Sequence, residues 1–340
     1  MALKTGTIRT ITDEEIARVD AEVRDLRARI AEYEAAATQP LPSAKTGLWV
    51  DGPTLKTKTG APANWRGMEL LWGPTADSQA TQLCKNIKAF GANAISPLFQ
   101  QGQEGVIDVR ECLAAARAEG LMVGVNADNT SGGTGWIRRS DIVDACNHSD
   151  HVMLESEVEL GSIDTMTRDI WFANAKKFIT GMRDAGHTSP IKIGAPTGGR
   201  LPHWSLRVGD LLVDHDPRHN LIFTWQAYWA ADLTRWQFST EAGMENEGVA
   251  GALEMADAIA ASGLCFIVGL DGADDVGVTP WKELATRLHQ KGIGWQWWAW
   301  MVGDSFGNGI VASTMDTSPK GPFGPGVRDL MRTQSALAQL

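Results

Sequence analysis

His151-Val-Met-Leu-Glu-Ser-Glu-Val-Glu-Leu160 joins an apolar run to three carboxylates, Glu155, Glu157 and Glu159. The first half has the make-up of a strand buried on both faces, and alternate side chains of a strand share one face. All three glutamates therefore point the same way if the strand stays regular. Three like charges on one face are costly to bury, so at least one must reach water, a cation or a substrate.

Seven more runs of this kind flank it, over residues 67–72, 92–98, 121–126, 191–196, 221–226, 265–270 and 294–300. Between them lie segments with helical apolar spacing, at residues 78–90, 106–119, 163–185, 243–261 and 280–290. Eight strands separated by crossovers predict an α/β fold, a (β/α)8 TIM barrel spanning residues 65–340, with a doubly wound open sheet as the alternative. No G-x-G-x-x-G and no G-x-x-x-x-G-K-[ST] follows any run, so no nucleotide cofactor is expected.

The N-terminal part reads differently. Thr12-Asp-Glu-Glu15 is a capping box, and Ile16, Val19, Val23, Leu26, Ile30 and Tyr33 repeat at 3-4-3-4-3 spacing. This predicts a helix over residues 1–38 with coiled-coil-like heptads, whose seam at residues 12–34 serves self-association or docking. Residues 39–64, rich in Pro, Gly, Thr and Lys, read as linker and loops with room for a short hairpin.

A net charge of −10 excludes an extended phosphate-binding surface, so no nucleic acid partner is expected. The chain has no Sec-type leader after Met1 and no run long enough to span a membrane, which predicts synthesis in the cytoplasm without membrane insertion. Cys84, Cys112, Cys146 and Cys265 are widely separated and read as buried free thiols, and without H-E-x-x-H or C-x-x-C no metal site is expected. The composition is unusual in its 14 Trp against 2 Tyr. Indole faces suit core packing and suit stacking on sugar rings equally.

A barrel of this class places its site at the C-terminal ends of the strands. Those ends carry Trp72, Ser96, Asn126, the glutamates of residues 155–159, Gln226, Tyr228, Asp271, Trp297, Trp298 and Trp300. Carboxylates set among aromatic platforms point to a polysaccharide or other glycan as partner.

In this order the runs resemble family 5 glycoside hydrolases over residues 66 to about 305. Arg66-Gly-Met-Glu-Leu resembles the family's R-G-x-N strand, Phe90-Gly-Ala-Asn-Ala-Ile its G-x-N-x-V-R strand, and Glu119-Gly-Leu-Met-Val-Gly-Val its third-strand approach. Asn220-Leu-Ile-Phe-Thr-Trp-Gln-Ala-Tyr-Trp is similar to N-x-V-F-S-x-H-x-Y. Gly263-Leu-Cys-Phe-Ile-Val-Gly and Gly292-Ile-Gly-Trp-Gln-Trp-Trp-Ala-Trp are similar to the last two strands. The resemblance puts Ser96 where the family has arginine, and Asn126 and Gln226 where it has histidines. It puts Val158 at an asparagine and Glu159 at the catalytic acid, or Glu157 after a two-residue slip. The nucleophilic glutamate falls on Leu270, with Asp271 beside it on the opposite face of a regular strand.

A retaining glycosidase needs two carboxylates about 5 to 5.5 Å apart, and leucine cannot attack an anomeric carbon. The expectation is therefore a carbohydrate-binding or structural module on a degenerate glycosidase barrel. Its layout suggests a virion fibre, tail or decoration component, with copies held together through residues 12–34. The alternative is an active endo-β-glycanase of mannanase or cellulase type, using Glu159 or Glu157 as acid/base and Asp271 as nucleophile or base. The substrate-binding set is Trp72, Asn126, Gln226, Tyr228, Trp297, Trp298 and Trp300.

Overall fold

The computed structural model describes residues 46–72, 77–99, 106–127, 135–156, 167–199, 202–227, 249–271, 281–300, 309–311, 318–321 and 323–337. The heptad helix expected within residues 1–38 lies outside the described residues, as does the linker up to residue 45.

The described chain opens with an antiparallel hairpin, β1 (Trp49–Asp51) and β2 (Thr54–Lys56). Eight parallel strands follow: β3 (Arg66–Leu71), β4 (Ala94–Phe99), β5 (Met122–Ala127), β6 (Val152–Glu155), β7 (Ile191–Ile193), β8 (Leu221–Ala227), β9 (Phe266–Asp271) and β10 (Gly294–Trp298). They close into a barrel in the order β10-β3-β4-β5-β6-β7-β8-β9. Closure is made by β10, which pairs through Trp295 with Arg66 of β3 on one side and Val268 of β9 on the other. The chain is thus a (β/α)8 barrel, as the alternation of apolar runs and helical segments predicts.

Helices α1 (Asp77–Phe90), α2 (Val106–Ala118), α3 (Ser140–Asn147), α4 (Arg168–Asp184), α5 (Pro196–Gly199), α6 (Pro202–His215), α7 (Val249–Ala261), α8 (Trp281–Gln290) and α9 (Gly324–Leu337) accompany the strands. Each long helix buries one stripe. On α2 the stripe is Val109, Cys112, Leu113 and Ala116, at the i, i+3, i+4, i+7 spacing of a helix face. On α4, Thr167 accepts a hydrogen bond from the Ile170 amide at 3.2 Å, satisfying one of the free donors of the first turn.

Strand parity divides the core in two. Met68, Val123, Val125, Leu154, Phe223, Trp225, Val268, Leu270, Trp295 and Trp297 face the helices and join the main apolar cluster. Inside the barrel, Ala94, Met153, Ile222 and Ile267 meet Trp65 and the hairpin residues Leu48 and Leu55 in a second cluster. The hairpin therefore seals the N-terminal end of the barrel, and its Val50 amide donates to Asn220 Oδ1 at 2.9 Å.

Arg183 on α4 donates to both oxygens of Asp216, Nε to Oδ1 at 2.7 Å and Nη2 to Oδ2 at 2.8 Å. Burial works against the Asp216 carboxylate, but the hydrogen bonds and charge of Arg183 together with the Asn220 and Arg218 amides hold the group below the usual carboxylate range. This pair ties two helices together and is remote in chemistry from the interior described next. All four cysteines are buried free thiols, and burial pushes Cys84, Cys146 and Cys265 up to about 12. Among the described residues, no helix is long and apolar enough to cross a membrane.

Candidate functional site

Barrels of this class are ordinarily filled with branched apolar side chains. Here only the N-terminal layer is apolar. Above it, inward-facing Glu69, Ser96, Glu155, Lys192, Thr224 and Gln296 are all buried, followed toward the strand ends by Asn126 and Gln226. Each sits at an alternate position of an otherwise apolar strand, so strand parity sends polar groups inward and apolar groups to the helices.

Glu155, the last residue of β6, is the centre of this layer. Its Oε1 accepts from Ser96 Oγ at 2.6 Å and lies 2.8 Å from Lys192 Nζ, while its Oε2 accepts from Asn126 Nδ2 at 3.1 Å. The lysine contact is an ion pair and not a directed hydrogen bond. One of the three glutamates of the fourth barrel strand thus meets a cation. The Oγ of the next residue, Ser156, accepts from the Gly194 amide at 2.8 Å, pinning the end of β6 to the chain after β7.

A second carboxylate stands across this layer. Glu69 accepts from Gln296 Nε2, whose own Oε1 accepts from Trp65 Nε1 at 3.1 Å. Burial pushes the Glu69 carboxyl up to about 7; Lys192 pulls it down, the Glu155 charge pushes it up, and the amides of Gln296 and Gln226 pull it down. A carboxyl group inside a barrel that titrates near neutrality marks a candidate functional region on physical grounds.

The interior is open enough for these groups only because two strand positions lack a side chain. A Cβ on Gly124 would lie 2.0 Å from Glu155 Oε1, and one on Gly269 would lie 1.6 Å from Gln226 Oε1. Near the C-terminal ends of the strands, Asn126 Oδ1 and both ends of the Gln226 amide, Oε1 and Nε2, are buried with no hydrogen-bond partner among the described residues.

The expected site residues divide as follows. Asn126 and Gln226 lie in the interior. Trp298 is partly exposed at the end of β10, paired in register with Asp271 at the end of β9. Trp72, Trp297 and Trp300 are buried in the helix-facing core. Trp72 packs on Phe99 with ring centroids 5.9 Å apart, Trp297 edge-on to Trp281 at 5.1 Å, and Trp300 edge-on to Phe90 at 5.2 Å. Glu157, Glu159 and Tyr228 lie outside the described residues, and of Asp271 only the backbone is described. Leu270 belongs to the helix-facing cluster, whereas Ile267 and Gly269 face the interior.

Sequence reasoning passed over Glu69, Lys192 and Gln296. The signal was present: a glutamate within Gly67-Met-Glu-Leu-Leu and a lysine within Ile191-Lys-Ile are charges inside strands otherwise apolar on both faces. Among the described residues, no group of three or more His, Cys, Asp or Glu side chains is arranged to hold a metal ion.

No curated protein sequence matches the chain. Solved structures do. The β-mannanase of Streptomyces thermolilacinus superposes with a TM-score of 0.69 at 19% identity, over 85% of this chain and 96% of that one. The catalytic domain of the mannanase from Streptomyces sp. SirexAA-E gives 0.69 at 20% identity, over 89% and 95%. The mannohexaose complex of the Thermomonospora fusca β-mannanase gives 0.67 at 18% identity, over 86% and 99%. Likeness at this identity establishes the fold alone. The family is established by the cellulase model of glycosyl hydrolase family 5, which matches residues 57–304, most of the chain and all eight barrel strands; the chain therefore belongs to glycosyl hydrolase family 5.

Proposed function

We propose that the barrel mouth binds a β-linked hexose polymer of the mannan or glucan type, and that the protein binds this glycan more than it cleaves it. The observation that carries the reading is the set of unsatisfied buried polar atoms toward the strand ends, Asn126 Oδ1, both ends of the Gln226 amide and Thr224 Oγ1. Buried polar atoms are nearly always hydrogen-bonded, so an interior that leaves acceptors and donors over is matched to a ligand rich in hydroxyls, which both donate and accept. Trp298, partly exposed, offers an apolar ring face at the end of β10. The mannohexaose bound to the Thermomonospora fusca mannanase supports the same class of ligand.

Weak turnover is favoured by how Ser96 and Asn126 are used. Both donate to Glu155, so at the positions that the family resemblance equates with an arginine and a histidine the donors are committed to holding a carboxylate of the protein itself. In the same reading the heptad seam of residues 12–34 holds several copies of the barrel together, as in a virion fibre or tail. Light scattering on a chain lacking residues 1–40 tests this, since an unchanged mass removes the seam as the assembling element.

One observation favours a second reading, an active endo-β-glycanase. Strand β9 ends at Asp271, a carboxylate residue on the strand where the family resemblance places the nucleophile. Assays on β-mannan, β-glucan and cellulose separate the two. Binding without product supports the first reading, and turnover lost in Glu159→Gln and Asp271→Asn supports the second.

A further inference from the structure

We infer that Glu155 and Lys192 form a positioning pair that fixes the Asn126 amide with its carbonyl oxygen left for the ligand, so that the site demands a hydroxyl donor at this point. The inference deepens the glycan reading above and rests on it.

One-way hydrogen-bonding groups fix the orientation of Asn126. The Lys192 ammonium can only donate, and the carboxylate that faces it at 2.8 Å can only accept. Ser96 Oγ has two acceptors for its single proton, the same oxygen Glu155 Oε1 at 2.6 Å and Gln296 Oε1 at 3.1 Å, and the shorter, charged contact takes it. Glu155 Oε2 therefore also presents an acceptor, and the end of the Asn126 side chain that meets it at 3.1 Å must be the NH2 group. The opposite end, Oδ1, is left buried without a partner among the described residues. Gly124 is what lets the carboxylate lie across β5, because a Cβ there would sit 2.0 Å from Glu155 Oε1.

The same logic holds on the other side of the layer. Trp65 Nε1 can only donate, so Gln296 turns its oxygen to Trp65 and its NH2 to Glu69. Two amides of the interior are thus oriented by residues that never reach the mouth. A sugar hydroxyl can donate or accept, so it is the orientation of the amide, and not the presence of asparagine, that decides which role the ligand plays.

The test uses the full chain. Replacing Glu155 alone leaves a buried ammonium, so the working variant is Glu155→Gln with Lys192→Met, which removes both charges and keeps the volume. Mannohexaose and cellohexaose are titrated by calorimetry into wild type, Asn126→Ala, the double variant and the triple variant. Loss of one ligand hydrogen bond predicts roughly tenfold weaker binding for Asn126→Ala and a similar loss for the double variant. The triple variant is expected to lose no more, because the pair acts through Asn126. A double variant that binds like wild type, or losses that multiply in the triple variant, overturns the inference.

A second measurement is independent of ligand. In nitrogen-15 spectra the Asn126 side-chain amide, identified by its absence in Asn126→Ala, is expected to show one hydrogen protected from exchange in wild type and none in the double variant. Protection that is missing in wild type, or unchanged in the double variant, equally overturns the pair's role. If neither oligosaccharide binds wild type, the glycan reading falls, while the amide protection still decides the orientation of Asn126.

Discussion

Lys192 Nζ lies 2.8 Å from Glu155 Oε1 in the middle of the barrel, with the two side chains 2% and 0% exposed. Two charges so far from water are held by each other and by Ser96 and Asn126. A buried pair of this kind adds little net stability, because desolvation offsets the attraction, but removing one partner strands the other. Lys192→Met is expected to destabilise the chain by about 3–5 kcal/mol, and adding Glu155→Gln to restore most of that loss. Urea unfolding of the three proteins checks it; equal losses in the single and double variants would falsify the charge argument.

Glu69 makes stability depend on pH in the direction opposite to a paired carboxylate. Its folded-state pKa is raised from 4.5 to about 7. Between those values the folded chain holds a proton that the unfolded chain has released, so stability falls as pH rises through this window and levels off above it. The effect is on the order of 3 kcal/mol, at about 1.4 kcal/mol per unit. Glu69→Gln keeps the shape and cannot ionise. It is expected to exceed wild type in stability at pH 8 and to approach it near pH 4.5, as read from denaturation midpoints. A constant difference between the two proteins across pH would show that another group is responsible.

Adjacent tryptophans on β10 should separate stability from binding. Trp297 is fully buried against Trp281 and Phe323, with centroids 5.1 and 5.6 Å away, whereas Trp298 is partly exposed at the mouth. Trp297→Ala opens a cavity in the helix-facing core and is expected to cost about 3–5 kcal/mol of stability. Trp298→Ala is expected to cost about 1 kcal/mol and to weaken mannohexaose binding roughly tenfold. If Trp298→Ala binds as well as wild type, the ring is not a sugar platform.

The barrel was legible because parallel strands covered on both faces leave apolar runs, and residues 265–270 or 221–226 could hardly be read otherwise. The helices α3, α6 and α9 were not singled out, since Ser140–Asn147 is short and Pro202–His215 follows directly on the one-turn α5. The site was legible in part. The inward place of Asn126 and Gln226 is legible because they end apolar runs, where a barrel keeps its polar groups. Glu69 and Lys192 are not, because a search confined to strand ends passes over a charge in the middle of a strand. Leu270, where the family motif puts a nucleophile, packs toward the helices, whereas Ile267 and Gly269 face the interior, a division that only the pleat of the folded strand reveals.

Gly269 offers a way to disturb the mouth without touching a polar residue. Its bare backbone lies against the Gln226 amide, and a Cβ there would come within 1.6 Å of Oε1 and 2.5 Å of Cδ. The far end of a flexible side chain can swing away, so Gly269→Ala should leave the fold intact, with a loss of no more than about 2 kcal/mol. The swing displaces the unpaired Gln226 amide from its place in the interior, and glycan binding is expected to weaken roughly tenfold or more. Adding Gln226→Ala clears the space but does not restore the amide. The double variant should therefore regain stability and not affinity, a split that unfolding and calorimetry on the same preparations would read. Recovery of affinity alongside stability would mean that Gln226 fills the barrel and does not hold the sugar.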